Sequence, residues 1–110
     1  MKIISLHKGK EFSEVYTKGS SKANKYLVMY VHDNGLSYNR IGISVSKKVG
    51  NSVVRHRIRR LIKESLRLNG DRFNIGLDLV VIARGTAKDR TYQEIAGAVS
   101  HLAQLHNIVS

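Results

Sequence analysis

The 110-residue sequence contains no cysteine and no tryptophan, and it has only eight acidic residues. Without cysteine, neither a disulfide nor a thiolate metal site can form. No run approaches the roughly 18 apolar residues of a membrane-spanning helix, and residues 1–8 hold too short an apolar core for a signal peptide. The basic stretch of residues 47–67 also lacks the Trp or Phe typical of a helix that lies on a membrane. We therefore expect a cytoplasmic protein with no membrane partner.

The scarcity of acidic side chains also bears on catalysis. The Asp and Glu residues are spread along the chain without a close pair, and the histidines are scattered. A protein that cleaves RNA with its own metal ions needs several carboxylates around them, and a histidine site needs ligands at suitable spacing. We predict no catalytic residue and no metal-binding residue in the protein itself. The five histidines are His7, His32, His56, His101 and His106.

Basic residues outnumber acidic residues by nineteen to eight, and the formal net charge is +11. The chain is 42% hydrophobic, which is enough apolar material for a folded core and more than a disordered basic tail contains. Its length fits one domain over residues 1–110. A folded domain with this charge indicates a polyanionic partner.

Most of the charge lies in one stretch. Residues 47–67 contain eight basic residues and one acidic residue, a net charge of +7. Gly50 punctuates this stretch, and Asn51 or Ser52 can cap a helix that begins after it. Apolar residues then recur at helical spacing, which predicts an amphipathic helix with one packed side and one basic side. The apolar stripe consists of Val54, Ile58, Leu61, Ile62 and Ser65, and the opposite face carries Arg55, His56, Arg59, Arg60, Lys63 and Arg67, with Arg57 near the edge of the stripe.

Two interpretations of this basic face are open. A charged helix face is usually only solvated. Here, however, the acidic residues that would form ion pairs along the helix are nearly absent, and five arginines fall between positions 55 and 67. Because guanidinium groups bind phosphate oxygens in a bidentate manner, the composition favours binding to a polyanion.

The run KKVGNSVVRHRIRRLIKE, residues 47–64, resembles the signature of the bacterial ribonuclease P protein subunit. That family has a Lys-Lys-x-Gly-Asn run, followed by Val-x-Arg-Asn-Arg-x-Lys/Arg-Arg on an amphipathic helix. The internal spacing is the same throughout these 18 residues. One residue departs from the pattern, since His56 stands where the family most often has Asn. A histidine, unlike Asn, can become a cation.

The remaining segments predict an α+β fold. A short helix is expected over residues 8–18, and residues 20–25 have the composition of a polar loop. Strands are expected over residues 26–32 and 40–46, joined as a hairpin because Asp33-Asn34-Gly35 is a strong turn signal. Residues 78–83 form a nearly continuous apolar strand, typical of a central position. Thr91 and Glu94 form a capping box that opens a final helix.

This order is α-β-β-β-α-β-α, a sandwich of helices on a small sheet, although the pattern does not decide whether residues 26–46 hold two strands or three. Within residues 40–46, bulky apolar residues alternate with Gly42, Ser44 and Ser46, which leaves a sheet face on which another group can lie. The β-α-β crossover around the basic helix would ordinarily be right-handed. The resemblance implies a left-handed crossover, and we adopt that expectation.

The resemblance implies a subunit of the endoribonuclease that removes the 5′ leader from precursor tRNA. In that family the RNA subunit performs the cleavage and holds most of the Mg²⁺ that the holoenzyme needs, while the protein binds RNA. The implied partners are ribonuclease P RNA and precursor tRNA, with no obligate protein partner. The residues expected to bind the catalytic RNA are Lys47, Lys48, Asn51, Arg55, His56, Arg57, Arg59, Arg60 and Lys63.

By the same resemblance, the single-stranded leader lies in a cleft lined by Phe12, Tyr16 and Tyr30, since unpaired bases stack on aromatic rings. Ser44 and Ser46 are expected to open the sheet surface beside these rings. Phe12 and Tyr16 are four residues apart on one face of the first helix, so the residues by themselves also fit an ordinary packing role.

Two other functions share these features. A ribosome-associated or chaperone-like RNA-binding domain would have the same charge and fold but no leader cleft. A DNA-binding domain would also use the basic helix, but it normally shows helix-turn-helix packing or dimer symmetry, and the surrounding strands argue against it. Relative affinity for precursor tRNA, catalytic RNA and duplex DNA separates the three.

Overall fold

A computed structural model describes residues 2–7 and 9–109. It has the predicted order α-β-β-β-α-β-α, which confirms an α+β fold. Short 3-10 helices at Gly70–Arg72 and Gly85–Ala87 precede and follow the last strand. The main elements are α1 (Lys10–Lys18), β1 (Ser20–Ala23), β2 (Leu27–Asp33), β3 (Arg40–Ser44), α2 (Ser52–Asn69), β4 (Leu77–Ala83) and α3 (Tyr92–Leu105). Residue 8, where the sequence places the start of the first helix, lies outside the described residues.

The four strands form one sheet in the order β1-β2-β4-β3. β2 runs antiparallel to both β1 and β4, whereas β3 and β4 are parallel and are connected through α2. The predicted central strand therefore occupies an inner position, and six of the seven residues of β4 are buried. The β3-α2-β4 connection is the expected crossover, and its left-handed sense stays a prediction.

The predicted hairpin between residues 26–32 and 40–46 is wrong, because β4 lies between β2 and β3. The turn itself is present: Gly35 has φ 71°, and the Asn34 backbone N–H donates to the Gly76 carbonyl oxygen over 2.9 Å. The Asn34 side chain donates to Asp78 at 2.8 Å. The loop is thus held against the start of β4, and burial of that apolar strand on both faces outweighs a local hairpin.

The segment predicted as a polar loop, residues 20–25, instead contains β1. All four residues of β1 are exposed, so no apolar alternation marks it as a strand. It exists because its backbone pairs with β2, with Ser21 opposite Tyr30. The hairpin of the structure is therefore β1–β2, and Asn24 stabilises its turn by accepting the backbone N–H groups of Tyr26 and Leu27.

The two faces of the sheet are covered unequally. One face and helices α2 and α3 enclose the main core, in which Leu27, Met29, Ile58, Ile62 and Leu102 have no exposed surface. Helix α1 packs on the other face around a much smaller cluster, centred on the buried residues Leu6, Val15 and Val80. The second face is therefore only partly covered, and the small residues of β3 lie on it.

Both predicted helix caps are present. The Asn51 side-chain oxygen accepts the Val54 N–H at 3.0 Å, so Asn51 rather than Ser52 caps α2. At α3, Thr91 and Glu94 form the reciprocal capping box, with each backbone N–H bonded to the other residue's side chain at 3.1 Å. These local hydrogen bonds satisfy amides that have no partner within the helix.

Candidate nucleic-acid interface

Helix α2 presents the basic face that its spacing predicts. Ile58, Ile62 and Leu66 are fully buried on one side, which fixes the rotation of the helix about its axis. The opposite side is consequently directed to solvent over three turns. The exposed predicted RNA-binding residues on and just before this helix are Lys47, Lys48, Asn51, His56, Arg59, Arg60 and Lys63.

Two arginines of α2 are not free in solvent. Arg57 is half-buried, as its position at the edge of the stripe predicts, and its guanidinium donates to the Arg90 carbonyl oxygen at 2.9 Å. Helical spacing predicts Arg55 on the exposed face, but Arg55 is also half-buried, and its Nε is buried without a hydrogen-bond partner among the described residues.

Apart from Arg67, which pairs with Glu64, the cations of this face have no carboxylate partner in the part of the chain that the structure describes. The ion pairs in residues 2–7 and 9–109 include those of Arg40, Arg67 and Arg90. None of them involves the predicted RNA-binding cations of α2. A row of cations without carboxylate partners carries a high positive potential and attracts polyanions over the Debye length.

The three predicted aromatic residues lie together on the second sheet face. The ring centroids of Phe12 and Tyr16 are 6.4 Å apart, and those of Tyr16 and Tyr30 are 5.0 Å apart in an edge-to-face arrangement. Tyr16 is 40% exposed, so the group is not an enclosed core. Burial, followed by the neighbouring Tyr30, raises the pKa of the Tyr16 hydroxyl, which therefore remains a hydrogen-bond donor at neutral pH.

Gly42 allows the Phe12 ring to lie directly on β3. A Cβ at this position would stand 2.5 Å from Phe12 Cζ, so any larger residue would displace the ring. Ser44 is half-buried one pleat further along β3, opposite Ile82, and Ser46 is exposed beyond the end of the strand. The structure thus brings the three aromatic residues together, with Ser44 and Ser46 extending the same edge toward Lys47.

An ion-pair cluster that the sequence pattern does not reveal fixes α1 to this face. Arg40 binds Asp78 through two hydrogen bonds of 2.8 and 2.7 Å, and its third nitrogen binds Glu11 at 3.0 Å. Burial would raise the pKa of Asp78, but hydrogen bonds from Arg40 and Asn34 outweigh it and hold that pKa below its usual range. Glu11 directly precedes Phe12, so the cluster anchors the part of α1 that carries this ring.

Two negative findings apply to the described residues alone. Within residues 2–7 and 9–109, no three His, Asp or Glu side chains are grouped closely enough to hold a metal ion. In the same ranges, no helix combines the length and the apolar character that crossing a bilayer requires.

Known proteins resemble the whole chain. The protein-family model described as Ribonuclease P matches residues 1–106. A protein of Lachnoclostridium phytofermentans named Ribonuclease P protein component is 61% identical over 106 residues, which are 96% of this chain and 91% of that protein. The solved Staphylococcus aureus RNase P protein is 35% identical with a TM-score of 0.89, covering 99% of this chain and 100% of that one. A Staphylococcus aureus RNase P protein mutant, described as having defective mRNA degradation activity, is 36% identical with a TM-score of 0.88, covering 94% and 88%.

Proposed function

Because this chain belongs to the Ribonuclease P family of bacterial proteins, we propose that it is the protein subunit of ribonuclease P. In this role it binds the catalytic RNA and the 5′ leader of precursor tRNA, and it assists the endonucleolytic removal of that leader. The observation that carries the proposal is the pairing of two surfaces on one small domain. One is the basic face of α2, and the other is the aromatic cleft formed by Phe12, Tyr16 and Tyr30.

The basic face suits the catalytic RNA. Exposed arginines and lysines neutralise phosphates and release the counterions condensed on them, which favours association at low salt. Bidentate arginine contacts also fix the orientation of the bound backbone. These contacts position RNA without reading its sequence, as expected of a protein that supports a folded RNA.

The aromatic cleft suits the leader, which is single-stranded. Unpaired bases expose their faces, and each base that stacks on an aromatic side chain contributes about 1–3 kcal/mol. Tyr16 combines an exposed ring with a protonated hydroxyl, so it can stack on a base and donate a hydrogen bond. A paired stem keeps its bases inside the helix and gains nothing from such rings.

Cleavage itself is assigned to the RNA. The reaction is hydrolysis of one phosphodiester by a water that Mg²⁺ activates, and it leaves the mature 5′ end of the tRNA. The Mg²⁺ is held mainly by the RNA in this proposal, and the protein lowers the Mg²⁺ requirement by neutralising phosphates. The holoenzyme acts in the cytoplasm and needs no protein partner other than this chain.

Reconstitution with a bacterial ribonuclease P RNA tests this function directly. We expect the purified protein alone to leave precursor tRNA intact and to accelerate cleavage by the RNA at low Mg²⁺. Because one related structure is described by an mRNA degradation activity, an mRNA belongs among the substrates given to the isolated protein. Unchanged cleavage in the presence of the protein would reject the proposed role, and robust Mg²⁺-dependent cleavage by RNA-free protein would reject the assignment of catalysis to the RNA.

The alternative is an RNA-binding domain associated with the ribosome or acting as a chaperone, without a role in cleavage. Such a domain would use the basic face but would have no use for the aromatic cleft. It would bind structured RNAs with similar affinity and would not distinguish precursor tRNA from mature tRNA.

A further inference from the structure

A cavity of about 500 Å³ lies where the N-terminal segment, β3 and α2 meet. Its floor is apolar, and it is formed by Ile3, Leu6, Phe12 and residues 41–43. Its rim on the α2 side consists of basic residues, namely His56, Arg59, Arg60 and Lys63. The family resemblance implies that Phe12 contacts the leader and that the α2 residues contact the catalytic RNA, whereas the folded chain places them around one space.

The N-terminal segment forms a firm wall of this cavity. The Leu6 N–H donates to the Ile41 carbonyl oxygen at 2.9 Å, and the Ile41 N–H donates to the Ile4 carbonyl oxygen at 2.7 Å. Ser5 therefore pairs with Ile41 in a parallel bridge at the free edge of β3. Leu6 is buried by this attachment, whereas the side chain of Ser5 is exposed at the mouth of the cavity.

The chemistry of the cavity matches a flat group linked to anions. An apolar floor that includes an aromatic ring accommodates the face of a nucleobase. Three cationic side chains, Arg59, Arg60 and Lys63, lie within about one turn of the rim and suit neighbouring phosphates of a backbone rather than a single anionic group. A base within a duplex cannot enter, since both of its faces are stacked, so the fitting ligand is an unpaired nucleotide.

We propose that this cavity binds one unpaired nucleobase of RNA, while Arg59, Arg60 and Lys63 hold the flanking phosphates. The proposal rests on the proposed function, since it takes the RNA of the holoenzyme as the ligand. Ile3, Ser5 and Leu6 thereby join the binding surface, although no sequence motif marks them. Phe12 borders both this cavity and the aromatic cleft, so bound RNA passes from one to the other without leaving the protein.

The absence of native cysteine makes the first experiment specific. A Ser5→Cys variant carries one thiol, to which a photoactivatable aryl azide is attached before holoenzyme assembly with catalytic RNA and precursor tRNA. We expect crosslinks at one or two unpaired nucleotides, and the RNA in which they fall identifies the source of the base. A Ser13→Cys variant is the control, because Ser13 is exposed on α1 and does not line the cavity. Crosslinks confined to paired segments, or shared by both variants, would overturn the proposal.

The second experiment fills the cavity. Ser5→Trp places an indole at its mouth, and Ser13→Trp adds the same surface elsewhere on the protein. Removing the base of the crosslinked nucleotide, so that an abasic site remains, should weaken binding to the wild type and to Ser13→Trp by about 5- to 150-fold. The same removal should have no effect on Ser5→Trp, which has already excluded the base. Circular dichroism confirms that both variants are folded.

An equal effect of the abasic site on all three proteins would show that the base binds elsewhere and would overturn the proposal. Cleavage assays separate this result from a failure of the proposed function. If the wild type accelerates cleavage at low Mg²⁺ while the abasic site acts equally on every variant, the function stands and the cavity is only a surface depression. If the abasic site acts as expected but cleavage is not accelerated, the base site stands and the role in ribonuclease P fails.

Discussion

Individual side chains on α2 differ in what they are free to do, although the sequence presents them as one basic run. Arg59 is exposed and belongs to no ion pair among the described residues. Arg67, two turns later, binds Glu64 on the same helix, with Nε 3.1 Å from Oε2. His56 is exposed beside Arg59 and Arg60 at the rim of the cavity. The departure from the family motif therefore lies on the solvent side and not in the core.

This difference leads to a prediction with an internal control. Arg59→Ala should weaken binding to the catalytic RNA and reduce the slope of log affinity against log salt by roughly 0.7–0.9, because one phosphate contact is lost. Arg67→Ala also removes one positive charge, but Arg67 is already paired with Glu64 on the same helix. Its effect on RNA affinity and on the salt slope should therefore be clearly smaller. Filter binding from low to moderate salt measures both. Equal effects of the two substitutions would mean that the helix acts only through its total charge.

At the scale of elements, the position of α1 depends on contacts far apart in sequence. Glu11 of α1, Arg40 of β3 and Asp78 of β4 form the ion-pair cluster, and the side chain of Asp78 is only 3% exposed. Removing one partner of such a buried pair leaves the other charge buried without an opposite charge beside it. This lowers the free energy of unfolding by more than the loss of an exposed ion pair does. The cluster thus couples the stability of the sheet to the geometry of the aromatic cleft.

Asp78→Asn tests this coupling. The substitution keeps the shape but removes the charge that Arg40 binds, and we expect a loss of about 1.5–3 kcal/mol in unfolding free energy at pH 7. The folded-state pKa of Asp78 is lowered, so its contribution is complete above the unfolded-state pKa and is lost as the pH falls through the lower folded-state pKa. The wild type should therefore lose its advantage over the variant in acid.

Denaturant unfolding at several pH values measures this effect, and Asp33→Asn, a change at an exposed position of β2, is the matched control. A stability difference between wild type and Asp78→Asn that persists unchanged at strongly acidic pH would show that ionisation of Asp78 is not its source.

At the scale of the whole molecule, the two candidate surfaces lie on different layers. Helix α2 packs on the well-covered face of the sheet and α1 on the sparsely covered face, so the basic face and the aromatic cleft meet at the β3 edge. A small domain can therefore contact two RNA segments at once. Once one RNA segment is bound, the other is held close to its own surface, so its effective concentration there is raised.

The cleft is tested at this scale by comparing two forms of tRNA. Tyr16→Ala should weaken holoenzyme binding to precursor tRNA by about 5- to 150-fold, because a stacking surface for the leader is lost. Binding to mature tRNA, which has no leader, should change little. Tyr16 is 40% exposed, so the variant should fold, and Tyr38→Ala removes a similarly exposed ring outside the cleft as a control. An equal loss of affinity for precursor and mature tRNA would show that Tyr16 packs within the protein and does not stack on the leader.

The sequence by itself determined the features that arise within one continuous stretch of the chain. The start of α2, to within one residue, follows from its capping residues, and the buried positions Ile58, Ile62 and Ser65 follow from helical spacing, although the buried Leu66 lies outside the predicted stripe. The Thr91–Glu94 capping box follows from a motif of four residues. The inner position of β4 follows from its continuous apolar composition. The family signature also lies within one such stretch, so the basic face could be predicted before the fold was known.

Only the tertiary structure decided which distant segments meet. Strand β1 has no apolar pattern and exists through pairing with β2. Strand β4 lies between β2 and β3, which the turn signal alone predicts to be paired. Arg40 and Asp78 are 38 residues apart, and the cavity joins residue 3 to residue 63. Periodicity within one segment does not encode these contacts, because each requires a partner that only burial and backbone pairing across the sheet can bring close.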